Sequence, residues 1–245
     1  MRLLINAALT AIFSFGLLAV LTAYYRRSGG RAIGGGGTRR GSVERTGEPG
    51  IRQLNSGLGS GRIGRNVAGV RRSFVPEFLF GVLAAIVVVL ARALVGTTAR
   101  HAPTAVMLLV GAAALTEEAG KLAALGLCRI RREPPAVRET IAAGAAVGLG
   151  FALVENSWYI ADATLLLLVR GVTAVPLHAV TAGFLGWGLT SPLRPARVLT
   201  GFAAAVLLHA AYNAMIVAGG LLAPSTVVLV GAGAALLLTI SQAAD

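Results

Sequence analysis

Seven apolar runs recur along the chain, at about 3–24, 76–98, 104–128, 140–160, 164–189, 198–218 and 221–241. Each is close to the ~20 residues that a helix needs to cross a bilayer. In lipid every backbone polar group must be satisfied internally, so runs of this length predict helices. The expected fold is therefore all-α, a polytopic membrane bundle of about seven transmembrane helices. The fifth run is interrupted by Arg170 and Pro176. That interruption predicts a short interfacial helix followed by a span beginning near Thr173. Between the last two runs, "GGLLAP" predicts a tight turn. The first run is too long for the apolar part of a signal peptide, and "YYRR" follows it where a small-residue cleavage site would stand. It is expected to be a retained anchor.

Composition agrees with this pattern. Hydrophobic residues make up 56% of the 245, charged residues 13%, and the mean hydropathy is +0.76, which excludes an ordinary soluble domain. The net charge of +12 is concentrated. Eleven arginines lie in 26–72, four in 129–138 and two in 190–197, while the alternate connections hold Arg100, Asp162, Arg170 and little else. Basic connections stay cytoplasmic, so the expected topology is N-terminus outside and C-terminus inside, in the cell membrane. The 26–72 segment is rich in Gly and Arg and nearly free of large apolar residues, so it is expected to be disordered. It lacks the interleaved aromatics that stack bases, and attraction to anionic lipid is favoured over nucleic acid. Three regions follow: an N-terminal anchor (1–25), a disordered Arg/Gly-rich cytoplasmic loop (26–73) and a membrane domain (74–245). The single Cys128 excludes an internal disulfide and a thiolate metal centre.

Four successive runs carry groups that lipid disfavours. The third holds Glu117, Glu118 and Lys121, the only lysine; the fourth Glu155 and Asn156; the fifth His178; the sixth His209 and Asn213. A charge at mid-membrane costs at least a few kcal/mol on insertion scales. Helical spacing puts Glu117 and Lys121 (i,i+4), and Glu118 and Lys121 (i,i+3), on shared faces. Glu155 pairs in the same way with Tyr159, and His209 with Asn213. Taken singly, each has an ordinary explanation: an internal ion pair, a satisfied interior histidine, an interfacial carboxylate. Their coincidence on four consecutive spans argues for a site. By rise per residue, Glu118 and His209 fall near mid-bilayer, and Glu155 about 7–8 Å from the outer end of its span.

Carboxylates beside imidazoles suit hydrolysis. A shielded glutamate can act as general base on water. Histidines can bind a divalent metal such as zinc, or polarise a carbonyl and protonate a leaving amine. Asn213 can donate to an oxyanion. The same groups would also serve as relays in an ion- or proton-coupled transporter, or persist in a non-catalytic membrane scaffold or immunity protein. No inverted repeat supports a transporter, however, and seven spans do not divide evenly.

Taken in order, "EEAGK" at 117–121, "FALVENSWY" at 151–159, "HAVTAGFLG" at 178–186 and "HAAYN" at 209–213 resemble the motifs of the PrsW family of intramembrane proteases. That family is related to the CAAX-protease and bacteriocin-processing (CPBP) group. The resemblance covers about 75–218. It implies an endopeptidase that cuts membrane-anchored proteins, with site-1 cleavage of an anti-sigma factor as the associated role. It also implies that Glu117, Glu118, His178, His209 and Asn213 are catalytic and that Lys121, Glu155 and Asn156 support them. His178 and His209 would be ligands to any metal. The related CAAX proteases point instead to glutamate-activated water, with His and Asn stabilising the oxyanion.

Overall fold

The computed structural model describes residues 2–31, 73–95, 103–129, 136–158, 164–191 and 193–243, with side chains over 8–23, 73–94, 108–128, 136–158, 168–191 and 193–243. The basic segment beyond Arg31, together with Arg100, Tyr159 and Asp162, lies outside the described residues. Seven helices follow one another: α1 (Arg2–Arg31), α2 (Val75–Val95), α3 (Pro103–Arg129), α4 (Val137–Trp158), α5 (Thr164–Gly188), α6 (Pro195–Ala218) and α7 (Leu222–Ala243). The described residues contain no strand, as the seven apolar runs predict. Helices α2, α4, α5, α6 and α7 are long and apolar enough to cross a membrane. α3 carries Glu117, Glu118 and Lys121 in its middle, and the apolar stretch described in α1 is Ala8–Ala23.

The bundle is built around α4. Its stretch from Ala142 to Ala152 is wholly buried and consists almost entirely of Ala and Gly, with Val147, Leu149 and Phe151 as the larger members. α2, α5 and α1 pack on it, α6 and α7 pack on α5, and α3 fits between α2 and α6. In their most apolar windows α4 and α5 are 61% and 67% buried, whereas α6 and α7 are 22% buried. The outer helices turn Leu83, Val87, Leu90, Leu207, Val228 and other large apolar side chains outward, as lipid contact requires. Small residues let α4 and α5 touch backbone to backbone. A Cβ built at Gly148 would stand 2.0 Å from the carbonyl oxygen of His178. Glycine at 148 therefore fixes the height and closeness of the histidine's own turn. Gly148→Ala is expected to destabilise the bundle by about 1–3 kcal/mol or more, as overpacking does; thermal unfolding in detergent measures it.

Two expectations about the connections meet different outcomes. "GGLLAP" is a tight turn, with Gly219 and Gly220 at φ 66° and 57°, left-handed values that glycine adopts freely. The fifth run, by contrast, does not divide near Thr173. α5 is one continuous helix through Arg170 and Pro176. Arg170 is stabilised there because its guanidinium meets Glu155 and Asn156 on α4 instead of lipid. The bond that Pro176 cannot donate is a local loss, which the packing on α4 and α6 tolerates.

Candidate active site

The polar groups of α3, α4, α5 and α6 converge on one buried network. Glu118 is its hub and is fully buried. Its Oε1 accepts from Lys121 Nζ at 2.7 Å, His209 Nδ1 at 2.7 Å and Thr181 Oγ1 at 3.1 Å. A carboxylate only accepts, so Nδ1 of His209 carries that ring's proton and Nε2 carries its lone pair. Lys121, with no exposed surface, also reaches His178 Nδ1 at 2.8 Å and lies 4.7 Å from the centre of the Phe151 ring. His178 Nε2 meets Glu155 Oε2 at 2.7 Å. Arg170 then ties Glu155 to Asn156, with Nη2 donating to Glu155 Oε1 at 3.3 Å and Nε to Asn156 Oδ1 at 2.7 Å. The two imidazoles stand edge to face, 5.2 Å between centroids and 88° between planes.

Glu117 is placed differently from its neighbour. Its Oε1 accepts from Arg92 Nη1 at 2.6 Å. Its Oε2 is buried without a hydrogen-bond partner and faces His209 Nε2 at 3.6 Å. That separation is too long for a hydrogen bond. With the ring neutral, a carboxylate oxygen faces a ring lone pair, an arrangement that suits a water or a cation between them. Two ligands on one tetrahedral zinc, each at ~2.0–2.1 Å, stand about 3.4 Å apart, so the pair fits a metal. Glu117, His178 and His209 each bring one ligand atom within 4.8 Å of the others, and all three are buried. The residues present therefore fit a divalent metal. Glu117 and His209 do so with atoms free of other bonds, His178 with both ring nitrogens engaged.

Of the residues expected from sequence, Glu117, Glu118, Lys121, Glu155, His178 and His209 come together, and Asn156 joins through Arg170. Lys121 pairs with Glu118, its i,i+3 neighbour; Glu117, its i,i+4 neighbour, is held by Arg92. Asn213 is half-buried one turn beyond His209 and makes no hydrogen bond to the network among the described residues. Its neighbour Tyr212 is buried and bonds Thr173 Oγ1 at 2.8 Å. Arg92, Thr181 and Arg170 belong to the network although none of them is part of the residue set that the motifs imply. Arg92 is a lone arginine inside the apolar run of α2, the same kind of signal that drew attention to α3. Thr181 lies one turn after His178 on the same helical face. Arg170 stood out only as an interruption.

Glu117, Glu118 and His178 lie near the middle of their helices, and the network extends from there toward one end of the bundle through Arg92 and Glu155. Arg92 and Glu155 are each three residues from the ends of α2 and α4, about 5 Å along the axis. This end is opposite the one at which α3 ends and α4 begins.

A family model described as the PrsW family intramembrane metalloprotease matches residues 71–240. The match takes in α2 to α6 and most of α7, and leaves α1 outside it. Comparison with curated proteins gave no match, and neither did comparison with solved structures. A family model covering well over half of the 245 residues agrees with the helical membrane bundle described above. The chain belongs to the PrsW family of intramembrane metalloproteases and is a multi-pass membrane protein.

Proposed function

We propose that this protease hydrolyses its substrate at the gap between Glu117 Oε2 and His209 Nε2, with Glu117 as the general base. The observation that carries this reading is the buried, unpartnered carboxylate oxygen of Glu117 opposite a ring nitrogen whose lone pair is free. Water in the gap gives a proton to Glu117 as its oxygen attacks the scissile carbonyl. The C–O bond forms, the C–N bond then breaks, and Glu117 returns the proton to the departing amine. Glu118 takes no proton in this scheme. It fixes the orientation of His209 and anchors Lys121. His178, and Asn213 once a substrate is bound, face the carbonyl oxygen and stabilise the charge that develops there.

Were the metal that the family description names bound there, Glu117 Oε2 and His209 Nε2 would hold it, with His178 beside them, and Glu117 would then serve as ligand in place of base. A divalent ion there would polarise the carbonyl and the attacking water. Zinc content and chelator sensitivity test this part. Stoichiometric zinc that falls at least tenfold in a His178→Ala, His209→Ala double variant supports a metal. Full cleavage in strong chelator, from protein without bound metal, supports unassisted glutamate-activated water.

The substrate class is a protein anchored in the membrane. We read an anti-sigma factor, cut at site 1, as the specific substrate. The position of the site supports this. With the basic connections inside, the N-terminus lies outside, the C-terminus is cytoplasmic, and the Arg92 and Glu155 end of the network lies on the outer-leaflet side, the side of a first cut. In the same reading residues 74–245 are the protease domain, 1–25 an anchor, and 26–73 a basic segment held near anionic lipid, its first residues to Arg31 continuing α1.

A further inference from the structure

We propose that Lys121 is a positioning residue that holds the ring of His178 in its Nε2–H tautomer, so that His178 enters the site as a hydrogen-bond donor. The proposal rests on the protease reading for its purpose, though not for its geometry. An ammonium has three protons and no lone pair, so it can only donate. Lys121 has no exposed surface, is bonded to Glu118 Oε1 at 2.7 Å, and lies against the Phe151 ring. It has no route by which to turn away. Its 2.8 Å contact with His178 Nδ1 is therefore an N–H donated into the ring lone pair, which leaves the single ring proton of a neutral imidazole on Nε2. Glu155 Oε2, 2.7 Å away, accepts that proton's hydrogen bond, and Arg170 holds Glu155 in turn. The ring is clamped between a donor on one side and an acceptor on the other.

His209 is clamped in the opposite sense. Its Nδ1–H is spent on Glu118, and its Nε2 is bare. The two imidazoles, edge to face at 5.2 Å, thus offer the site one donor and one acceptor. Glu118 sets both, directly for His209 and through Lys121 for His178. A scissile carbonyl arriving between the rings would take the His178 N–H in place of Glu155, and ligation of a metal would fall to Glu117 and His209. Lys121 therefore does more than offset the charge of the glutamate pair: with Glu155 on the far side of the ring, it sets which nitrogen of His178 bears hydrogen.

Long-range proton–nitrogen correlation spectra of the full chain in detergent, labelled with ¹⁵N-histidine, read this directly. The chain has three histidines, and His178→Gln identifies the signal that belongs to 178. In the unmodified protein, Nε2 of His178 is expected as the protonated, pyrrole-type nitrogen and Nδ1 as the pyridine-type one. Glu155→Ala, which leaves Lys121 as the partner that fixes the ring, should keep that assignment; Lys121→Met in the Glu155→Ala background should lose or reverse it, and Lys121→Arg in that background, which still donates, should keep it. A protonated Nδ1 on His178 in the unmodified protein would overturn the proposal whether or not any variant folds. An unchanged His178 tautomer in the folded Lys121→Met, Glu155→Ala double variant would overturn it as well. Neither reading depends on proteolysis, so failure here and failure of the protease reading are separate results.

Discussion

Glu118→Ala is expected to lower stability by about 3–5 kcal/mol and to abolish cleavage together, the largest combined loss of any substitution in the site. One oxygen of Glu118 receives the protons of Lys121, His209 and Thr181, all of them buried. Removing the carboxylate strands an ammonium that has no exposed surface and whose other contacts are a neutral ring nitrogen and the face of Phe151. A buried charge left without its partner is what makes the loss large. His209 also loses the acceptor that keeps its proton on Nδ1, so the lone pair facing Glu117 is no longer fixed. Glu118→Gln, which keeps the shape and one acceptor oxygen, should fall between Glu118→Ala and the unmodified protein. Thermal unfolding in detergent ranks the three. A Glu118→Ala protein as stable as the parent would mean that the network is not built around this residue.

Glu117→Gln is expected to separate the two effects. Cleavage should fall by roughly 10²–10⁴-fold, the usual contribution of a general base, while stability stays within about 1 kcal/mol. Glutamine fills the same space, and its carbonyl oxygen still accepts from Arg92. The Arg92 side chain is 45% exposed and lies three residues from the end of α2, within reach of the membrane surface, so its charge is not stranded when the carboxylate is gone. The group that disappears is the Oε2 that faces His209 without a hydrogen-bond partner; Glu118 Oε2 is also without one, but Glu118 meets His209 through its Oε1. Adjacent glutamates on one helix thus predict opposite profiles, 118 for structure and catalysis together, 117 for catalysis with little structure. Equal profiles for the two would contradict the division of roles drawn from the geometry.

Much of this was legible in the chain because lipid is an unforgiving solvent. Apolar runs of spanning length have no other common use, so the helices could be placed closely. Glutamate, histidine and lysine inside them demanded partners, so four runs pointed at one site. What the sequence left open has equally physical reasons. On a helix both i,i+3 and i,i+4 neighbours are within reach, and only the packing of α2 decided that Lys121 pairs with Glu118 while Arg92 takes Glu117. Arg170 and Pro176 looked like a break, because the pattern of a single helix does not show the carboxylate and amide that α4 brings to Arg170. Rise per residue puts Glu155 near the outer end of its span and does not show which partner it meets; in the bundle it reaches His178 directly. Asn213 had the right spacing from His209, yet spacing along a helix does not dictate which way a partly buried amide turns.

The central claim is that Glu117 activates water for hydrolysis of a bilayer-anchored peptide bond. Its most direct test uses proteoliposomes of the full chain, given a membrane-anchored peptide in water enriched in ¹⁸O, with products read by mass spectrometry. The unmodified protein should generate new carboxyl termini that carry ¹⁸O, and Glu117→Gln, equally well inserted and folded, should generate almost none. Labelled termini appearing from Glu117→Gln at the unmodified rate would contradict the account.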